Sequence, residues 1–294
     1  MWGLFPLYFQ TLRPAGALEV LAHRVLWSLL ICLAVLAVLG QLRWLGSLLR
    51  RPRMLAAVSL AGVLIACNWT IYTFAVLSGH VTEAALGYFL NPLVTVGLGV
   101  VVLRERLRVL QWVAVAIGAA AALYLTVDYG RPPWISLTLA VSFASYSLVK
   151  KRVGTSLSAI QSLTAETVVI APFAVAVVAW LAVTGQQTFG TEGTGHALLL
   201  ASAGLATAGP LLLFAAAARR VPLTTIGLLQ FITPVLQLLT AVVLLGESMQ
   251  ASRWVGFVLV WVALALLTAD SMISVGRSRR EVRDTLLPNA TPAA

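Results

Sequence analysis

The sequence predicts an all-α transmembrane protein, a ten-helix bundle built from two inverted five-helix repeats. Three observations support this prediction. The chain is 60% hydrophobic and only 10% charged, whereas soluble domains carry roughly 25% charged residues. Its basic residues lie mostly in short connectors between apolar segments, and its second half repeats the first. Too few polar residues remain to cover a water-soluble globule, so the lipid bilayer is the expected solvent.

Ten apolar segments are candidates for membrane spans, which need roughly 20 residues each. The first segment is too short, because residues 1–12 reach only about 18 Å along a helix against a hydrocarbon core of roughly 30 Å. The segments are Trp2–Leu12, Ala17–Leu39, Met54–Leu77, Glu83–Val102, Leu110–Val127, Pro133–Val149, Ala159–Thr184, Ala197–Ala218, Leu223–Leu245 and Trp254–Ile273.

The basic residues alternate between connectors, which predicts the orientation of the helices. If the N-terminus is cytoplasmic, sixteen of the 20 Lys and Arg residues fall in cytoplasmic connectors or the C-terminal tail, and only Arg13, Arg131 and Arg253 fall in external connectors. This bias is what the positive-inside rule requires. We therefore expect a multi-pass protein of the bacterial cytoplasmic membrane with both termini inside. The basic tail, residues 274–294, is expected to be disordered and to lie against anionic lipid headgroups.

The chain matches itself at a shift of 142 residues. Phe89–Pro92 aligns with Phe231–Pro234, and Trp112-Val113 aligns with Trp254-Val255. Five helices in each half place the second half in the membrane upside down, which is an inverted repeat suited to alternating access. The predicted units are residues 1–127 and 132–273. Compared with its partner in the second half, the first helix lacks about nine residues, so we expect it to be truncated.

Six stretches of the sequence resemble the RarD group of EamA-type transporters, within the drug/metabolite transporter superfamily. They are Trp2–Tyr8, Glu19–Arg24, Ala66–Trp69, Gly79–Pro92, Arg104–Leu107 and Gly227–Phe231. The resemblance extends over nearly the whole chain, and its most specific part is Gly87–Pro92. It implies ten helices in two EamA repeats, a location in the bacterial inner membrane, and a transport role in a group named for chloramphenicol sensitivity.

Two polar stripes occupy equivalent positions in the fourth and ninth segments. Each is spaced i, i+3, i+7, so its members share one helical face. A proline follows the middle member of each stripe and removes a backbone donor, which predicts symmetric helix breaks. The freed carbonyl must face protein or a wet cavity, which favours a central cavity over simple interhelical hydrogen bonds. The substrate-binding candidates are Tyr88, Asn91 and Thr95 with Pro92, and Gln230, Thr233 and Gln237 with Pro234.

Charged residues inside a membrane are functional candidates because their burial is costly. Glu19 and His23 lie four residues apart and share a helical face, and Arg24 is equivalent to Glu166 under the repeat. The hypothesis is that Arg24 or His23 contacts an anionic or polar substrate and that His23 or Glu166 takes part in proton coupling. Arg24 and Glu166 would then form a charge pair or both line the cavity. The alternative is that Arg24 snorkels to the outer interface.

A third group, Asn68, Trp69 and Tyr72, lies in the middle of the third segment. Trp69 and Tyr72 share a face and are candidates for stacking on an aromatic substrate, with interfacial anchoring as the alternative.

No catalytic motif, metal-ligand spacing or nucleotide-binding loop is present in the sequence. We expect a secondary transporter, and specifically an exporter, that moves small metabolites or drugs by alternating access without a cofactor. The expected partners are a small-molecule substrate, a proton or other coupling ion and the bilayer, with no nucleic acid; the oligomeric state is left open. The alternatives are an intramembrane enzyme that uses His23 or Glu166 as a base, and a non-transporting scaffold subunit.

Overall fold

The computed structural model describes residues 2–104, 106–128, 130, 132–153, 157–218 and 232–286, and every regular element in those ranges is helical. A 3-10 turn at Trp2–Leu4 leads into the first α-helix. The helices are α1 (Phe5–Thr11), α2 (Ala17–Val38), α3 (Arg43–Leu49), α4 (Pro52–Leu77), α5 (Val81–Leu103), α6 (Val109–Asp128), α7 (Trp134–Val153), α8 (Ala159–Val183), α9 (Gly193–Ala218), α10 (Ile232–Leu239, continued by a π-turn over Thr240–Leu244) and α11 (Ala251–Leu286).

Seven of the described helices are long and apolar enough to cross a bilayer, namely α2, α4, α5, α6, α8, α9 and α11. Their outward sides are apolar as well: Val127 is 81% exposed, Val101 78% and Leu123 69%. So many exposed large apolar side chains are unfavourable in water and suit contact with lipid chains. The chain is therefore an all-α, multi-pass membrane protein, as the sequence predicts.

Most predicted segments coincide with observed helices to within a few residues. The first segment is a short turn and helix of 3 and 7 residues, so it is the shortest of the ten. Of the ninth segment, residues 223–231 lie outside the described residues, and its remainder forms α10 and the π-turn. The division into units 1–127 and 132–273 stays a prediction.

Three local features differ from the expectations. The connector after α2 contains a short helix, α3, whose 7 residues are too few to form a recognisable apolar span. Helix α5 continues through Pro92, so the predicted helix break does not occur there. Proline leaves only the Tyr88 carbonyl without its donor, whereas ending the helix would leave more backbone groups without partners. Helix α11 extends to Leu286, beyond the predicted end of the span at Ile273, while the disorder expected for residues 274–294 stays a prediction.

The helical continuation of α11 has a simple cause in the sequence. Arg277 and Glu281 are four residues apart, as are Arg280 and Asp284. Opposite charges at this spacing stabilise a helix. The first helix-breaking proline after Ile273 is Pro288.

Helix α2 runs through the middle of the bundle and packs against α8 on one side and α9 on the other. A glycine permits the second contact: a Cβ atom built on Gly204 would lie 2.3 Å from Trp27 Cβ and 2.5 Å from the Trp27 carbonyl carbon. The two backbones approach so closely that Ser28 Oγ donates to the Gly204 carbonyl at 3.1 Å. Small residues of this kind are typical of helix contacts in membranes, where lipid supplies no hydrophobic drive for association.

The other half of the core is arranged around α5, which packs against α7, while α6 packs against α11. Gly87 of α5 lies against α7, where an added Cβ would be 2.9 Å from Leu139 Cβ and from the Ser136 carbonyl oxygen. Phe89 and Phe257 meet edge to face with ring centroids 6.1 Å apart. Helix α4 packs against α7 and α2, and α10 packs against α5, which brings polar residues of α4, α5 and α10 together.

We expect Gly204→Val to destabilise the protein by about 1–3 kcal/mol, because the added side chain forces α2 away from α9. Gly209→Val is the matched control, since it lies on the same helix and an added Cβ there meets nothing within 4 Å. Thermal unfolding of both purified variants in detergent measures the difference. Equal midpoints for the two variants would contradict the close contact.

Candidate functional site

The centre of the bundle holds an arginine that is almost completely buried. Arg24 of α2 is 3% exposed. Its Nε atom donates to Thr207 Oγ1 of α9 at 3.0 Å, and Nη1 donates to Thr73 Oγ1 of α4 at 3.5 Å. These partners are neutral hydroxyls. In the described part of the chain no carboxylate lies within ion-pair distance of Arg24.

Aromatic rings surround the Arg24 guanidinium. Its Cζ atom lies 4.7 Å from the ring centroid of Trp69, 5.1 Å from that of Phe9 and 5.9 Å from that of Phe5. Such cation–π contacts stabilise a desolvated cation by about 2 kcal/mol or more when water is excluded. Arg24 therefore does not snorkel to the interface, and it lies in a cage of aromatic side chains contributed by α1 and α4.

Next to this cage, a polar network joins α4, α5 and α7. Asn68 is 1% exposed. Its Nδ2 atom donates to the Leu139 carbonyl at 3.0 Å and to Ser142 Oγ at 3.1 Å, and its Oδ1 atom accepts from the Tyr88 hydroxyl at 3.3 Å. Each of these hydrogen bonds joins Asn68 to a neighbouring helix, and the one to the Tyr88 hydroxyl holds that side chain in position.

A second polar contact links the network to α10. Gln237, 2% exposed, donates from Nε2 to the Tyr72 hydroxyl at 3.1 Å and to the Trp2 carbonyl at 3.3 Å. The Tyr72 and Tyr88 rings meet edge to face at 5.6 Å. The Oε1 atom of Gln237 is buried without a hydrogen-bond partner. Helices from both ends of the sequence thus converge on the same cluster.

The remaining members of the two predicted stripes are less central. Thr95 is exposed and donates to the Asn91 carbonyl of its own helix. Asn91 is half-buried, and its Oδ1 atom has no hydrogen-bond partner. Thr233 is half-buried, Pro234 is buried in the first turn described for α10, and Gln230 lies outside the described residues. The structure therefore brings together Tyr88 and Gln237 with Asn68, Trp69 and Tyr72.

Glu19 lies at the end of the bundle where α1 joins α2, which we call the first end. Its carboxylate accepts from the Thr188 and Phe189 backbone N–H groups at 2.8 and 3.0 Å and from the Thr188 hydroxyl at 2.9 Å. His196 Nε2 is 2.8 Å from the same hydroxyl. Glu19 thus binds the connector between α8 and α9 and is not hydrogen-bonded to His23.

His23 lies one turn deeper on α2. Its ring stacks on Phe189 with centroids 4.5 Å apart, and its Nδ1 atom accepts from Trp27 Nε1 at 3.2 Å. The second ring nitrogen, Nε2, is buried without a partner. Since Nδ1 accepts, the neutral ring carries its hydrogen on Nε2, and protonation at Nδ1 would break the hydrogen bond from Trp27; the role of His23 in proton coupling stays a prediction.

Glu166 of α8 has a counter-charge that differs from the one expected. Lys150 of α7 lies 2.7 Å from its Oε1 atom, and the Tyr146 hydroxyl donates to Oε2 at 3.1 Å. Ser162 donates to Oε1 at 2.9 Å. Arg24 and Glu166 therefore occupy separate clusters, because Lys150 on the neighbouring helix α7 neutralises the Glu166 carboxylate locally.

Further polar contacts join distant parts of the chain at both ends of the bundle. At the first end, Glu247 accepts from the Val81 and Thr82 N–H groups at 2.6 and 2.8 Å and so caps the start of α5. At the opposite end, where α2 leads to α3, Arg108 lies 2.8 Å from Asp270 of α11. The Glu247 carboxylate, placed at the N-terminus of α5, satisfies backbone donors that have no intrahelical partner.

Four residues of other helices that surround Arg24 are not among the candidates predicted from the sequence. Phe5, Phe9, Thr73 and Thr207 carry no charge, so only the fold reveals their contact with Arg24. Lys150 counts by sequence among the basic residues of a cytoplasmic connector, and its ion pair with Glu166 is visible only in the fold. Among the residues described, no group of three or more His, Cys, Asp or Glu side chains is placed to hold a metal ion.

A multi-pass helical bundle with a buried polar and aromatic centre is the architecture of a membrane transporter. Comparison with known proteins agrees. The model described as "EamA-like transporter family" matches residues 1–127 and 133–269. The chain belongs to the EamA-like transporter family, and its homologues identify it as a membrane transporter of the drug/metabolite type that acts on small molecules.

Individual relatives extend over nearly the whole chain. "Protein RarD" of Streptomyces exfoliatus is 50% identical over 296 residues, which cover 100% of this chain and 93% of the relative. "Uncharacterized transporter YojE" of Bacillus subtilis (strain 168) is 44% identical over 273 residues, 91% of this chain and 90% of the relative. A solved crystal structure that is 18% identical superposes with a TM-score of 0.60 over 91% of this chain and 93% of that one, and it supports the fold alone.

The Lys150–Glu166 pair gives a test of the local electrostatics. Lys150→Met leaves the Glu166 side chain, 2% exposed, without its counter-charge. Removing one partner of a buried pair costs about 3–5 kcal/mol, and we expect the lower end because Lys150 is 29% exposed. The double variant Lys150→Met/Glu166→Gln should recover most of this loss, because no unpaired charge remains.

Thermal or denaturant unfolding in detergent, arranged as a double-mutant cycle, measures these energies. Arg43→Met, at an exposed position at the start of α3, is the control for loss of a surface cation and should change stability by less than about 0.5 kcal/mol. Additive effects of the two single substitutions would contradict the pairing.

Proposed function

We propose that this protein is a secondary transporter that moves a small metabolite or drug out of the cell by alternating access. The observation that carries the proposal is the buried centre itself: Arg24, Trp69, Tyr72, Tyr88 and Gln237 converge there from α2, α4, α5 and α10. Packing alone would favour apolar side chains at such a place, because polar groups inside a membrane are costly. The substrate would bind at this cluster, and the protein would carry out no chemistry on it.

Polar contacts at the two ends of the bundle support an alternating mechanism. The Glu19 contact with Thr188 and the Glu247 contact with α5 lie at the first end, and the Arg108–Asp270 pair lies at the opposite end. Each contact joins residues from different halves of the chain. In the proposed cycle one set breaks while the other holds, so the central cluster opens to one side at a time.

The energy source would be an ion or substrate gradient, since the sequence contains no nucleotide-binding motif. Protons are the proposed coupling ion, and His23 is the proposed carrier. In support, His23 lies one residue from Arg24 and keeps one ring nitrogen without a partner. Glu166 is the second candidate, although Lys150 already neutralises its charge.

Counterflow in proteoliposomes tests the proposal. Liposomes that contain the purified full chain are loaded with single compounds from a library of metabolites and drugs, and uptake of the labelled compound is followed. We expect saturable exchange of at least one compound, absent from empty liposomes. The absence of exchange for every compound in a broad panel would favour a non-transporting scaffold.

Central substitutions should abolish this exchange. Gln237→Leu and Asn68→Leu keep the side-chain size but remove the hydrogen bonds to Tyr72 and Tyr88, and we expect at least a tenfold loss of flux. Thr126→Val is the matched control, because Thr126 lies on α6 and donates only to the Ala122 carbonyl of its own helix. Equal flux in all three variants would place the site elsewhere. Folding is verified by size-exclusion chromatography of each variant.

The proposed orientation places both termini in the cytoplasm. A C-terminal fusion to green fluorescent protein should therefore fluoresce in cells, because the reporter folds on the cytoplasmic side, whereas a fusion to alkaline phosphatase should be inactive. The outward direction is tested by energising inside-out vesicles, which should accumulate the compound found by counterflow. An active phosphatase fusion or efflux from such vesicles would contradict the respective assignment.

A further inference from the structure

We propose that Arg24 is the residue that binds the substrate's charge, and that the substrate is a small organic monoanion, a carboxylate with a flat apolar or aromatic body. This inference rests on the proposed function, which it deepens by naming the class of substrate. It stands on the balance of charge around Arg24, on the asymmetry of the two repeats at this position, and on the shape of the surrounding cage.

The charge of Arg24 is not balanced by the protein in the described structure. The guanidinium has five N–H donors, and the hydroxyls of Thr207 and Thr73 accept two of them. Hydroxyls and aromatic rings solvate a cation but leave its net charge in place. Because Arg24 is only 3% exposed, bulk water does not screen its charge. An anion is therefore the missing partner.

None of the acidic side chains that the structure describes forms an ion pair with Arg24. Of the ten Asp and Glu residues, five have a partner in the structure. Glu19 binds Thr188, Glu247 binds the start of α5, Glu166 pairs with Lys150, and Asp270 pairs with Arg108. Asp128, at the end of α6, lies 3.7 Å from Arg253. Of the rest, Glu83 has a further interaction of its own, Glu192 is exposed, Glu105 belongs by sequence to the connector after α5, and Glu281 and Asp284 lie in the last turns of α11.

The two repeats differ at this point in an informative way. Arg24 and Glu166 are equivalent under the 142-residue shift, and so are Tyr8 and Lys150. In the second half the pair is complete, because Lys150 neutralises Glu166 at 2.7 Å. In the first half the equivalent of the lysine is a tyrosine, whose hydroxyl is bound to Ser202 at 2.8 Å. At these equivalent positions the uncompensated charge lies in the first half, so the described centre has a single positive charge to offer.

This single charge and the aromatic cage define the ligand. One uncompensated cation matches one negative charge, and a planar guanidinium matches a carboxylate, which it binds through two parallel N–H donors. The rings of Trp69 and Phe9 lie against the guanidinium, and the Tyr72–Tyr88 pair lies beside them, so a ligand at the guanidinium would meet mainly aromatic side chains. A flat organic body packs on such faces better than a strongly hydrated one. Dianions and cations would leave charge unbalanced at the same place.

Ligand-induced stabilisation of the purified full chain tests the inference with three probes of matching shape: benzoate, benzamide and benzylammonium. A ligand that binds the folded state raises the unfolding temperature with concentration. We expect benzoate to raise it and the neutral and cationic probes to leave it unchanged. Equal shifts with benzoate and benzamide, or a shift with benzylammonium alone, would overturn the proposal without the use of any variant.

Substitutions then assign the effect to one residue. Arg24→Gln should weaken benzoate binding at least tenfold, while Arg24→Lys keeps the charge and should retain part of the binding, which also guards against a variant that fails to fold. Arg13→Gln is the control, because Arg13 is exposed and donates to the Leu77 carbonyl at the first end. Unchanged benzoate affinity in folded Arg24→Gln would overturn the assignment.

Counterflow separates this inference from the proposed function. Exchange of neutral or cationic compounds without any exchange of organic monoanions would overturn the substrate class while the transporter function stands. Arg24-dependent benzoate binding together with no exchange of any compound would support the anion site and overturn transport. Exchange of benzoate or a related aromatic carboxylate that is lost in Arg24→Gln would support both.

Discussion

A positive charge held inside a lipid-embedded bundle is the constraint around which the rest of this molecule is arranged. Placing an arginine at the centre of a membrane helix costs about 2.5–3.5 kcal/mol on the insertion scale. Around Arg24 that cost is met by hydroxyls from α4 and α9 and by rings from α1 and α4. The short first helix therefore has a defined task, because Phe5 and Phe9 cover the guanidinium from the side that α2 and α4 leave open.

Close helix contacts make this arrangement possible. Gly204 brings α9 against α2, and Gly87 brings α7 against α5, so that Thr207 reaches Arg24 and the Leu139 carbonyl reaches Asn68. Short polar side chains bridge helices only when backbones approach this closely. The glycines and the polar centre therefore depend on one another, although they lie on different parts of the helices.

The sequence was sufficient for the helices but only partly for the site. Apolar runs fix the spans because the bilayer demands about 20 residues of them, and buried polarity indicated Asn68, Tyr72, Tyr88 and Gln237 as central. The exceptions have physical reasons. The repeat relates Arg24 to Glu166 but does not decide which neighbour neutralises each, since that depends on the tilt and rotation of α7 and α8. Neutral residues such as Thr207 carry no signal of their own, and α3 is too short to register as a span.

The cap that Glu247 places on α5 has a consequence for the order of biosynthesis. Helix α5 is synthesised and inserted long before the ribosome reaches residue 247, so the N–H groups of Val81 and Thr82 stay without their final acceptor while the next five spans are made. A nascent chain that stops after the first half would expose these donors near the membrane surface. Completion of the fold is thus tied to the last connector, because a prematurely terminated product lacks the carboxylate that caps α5.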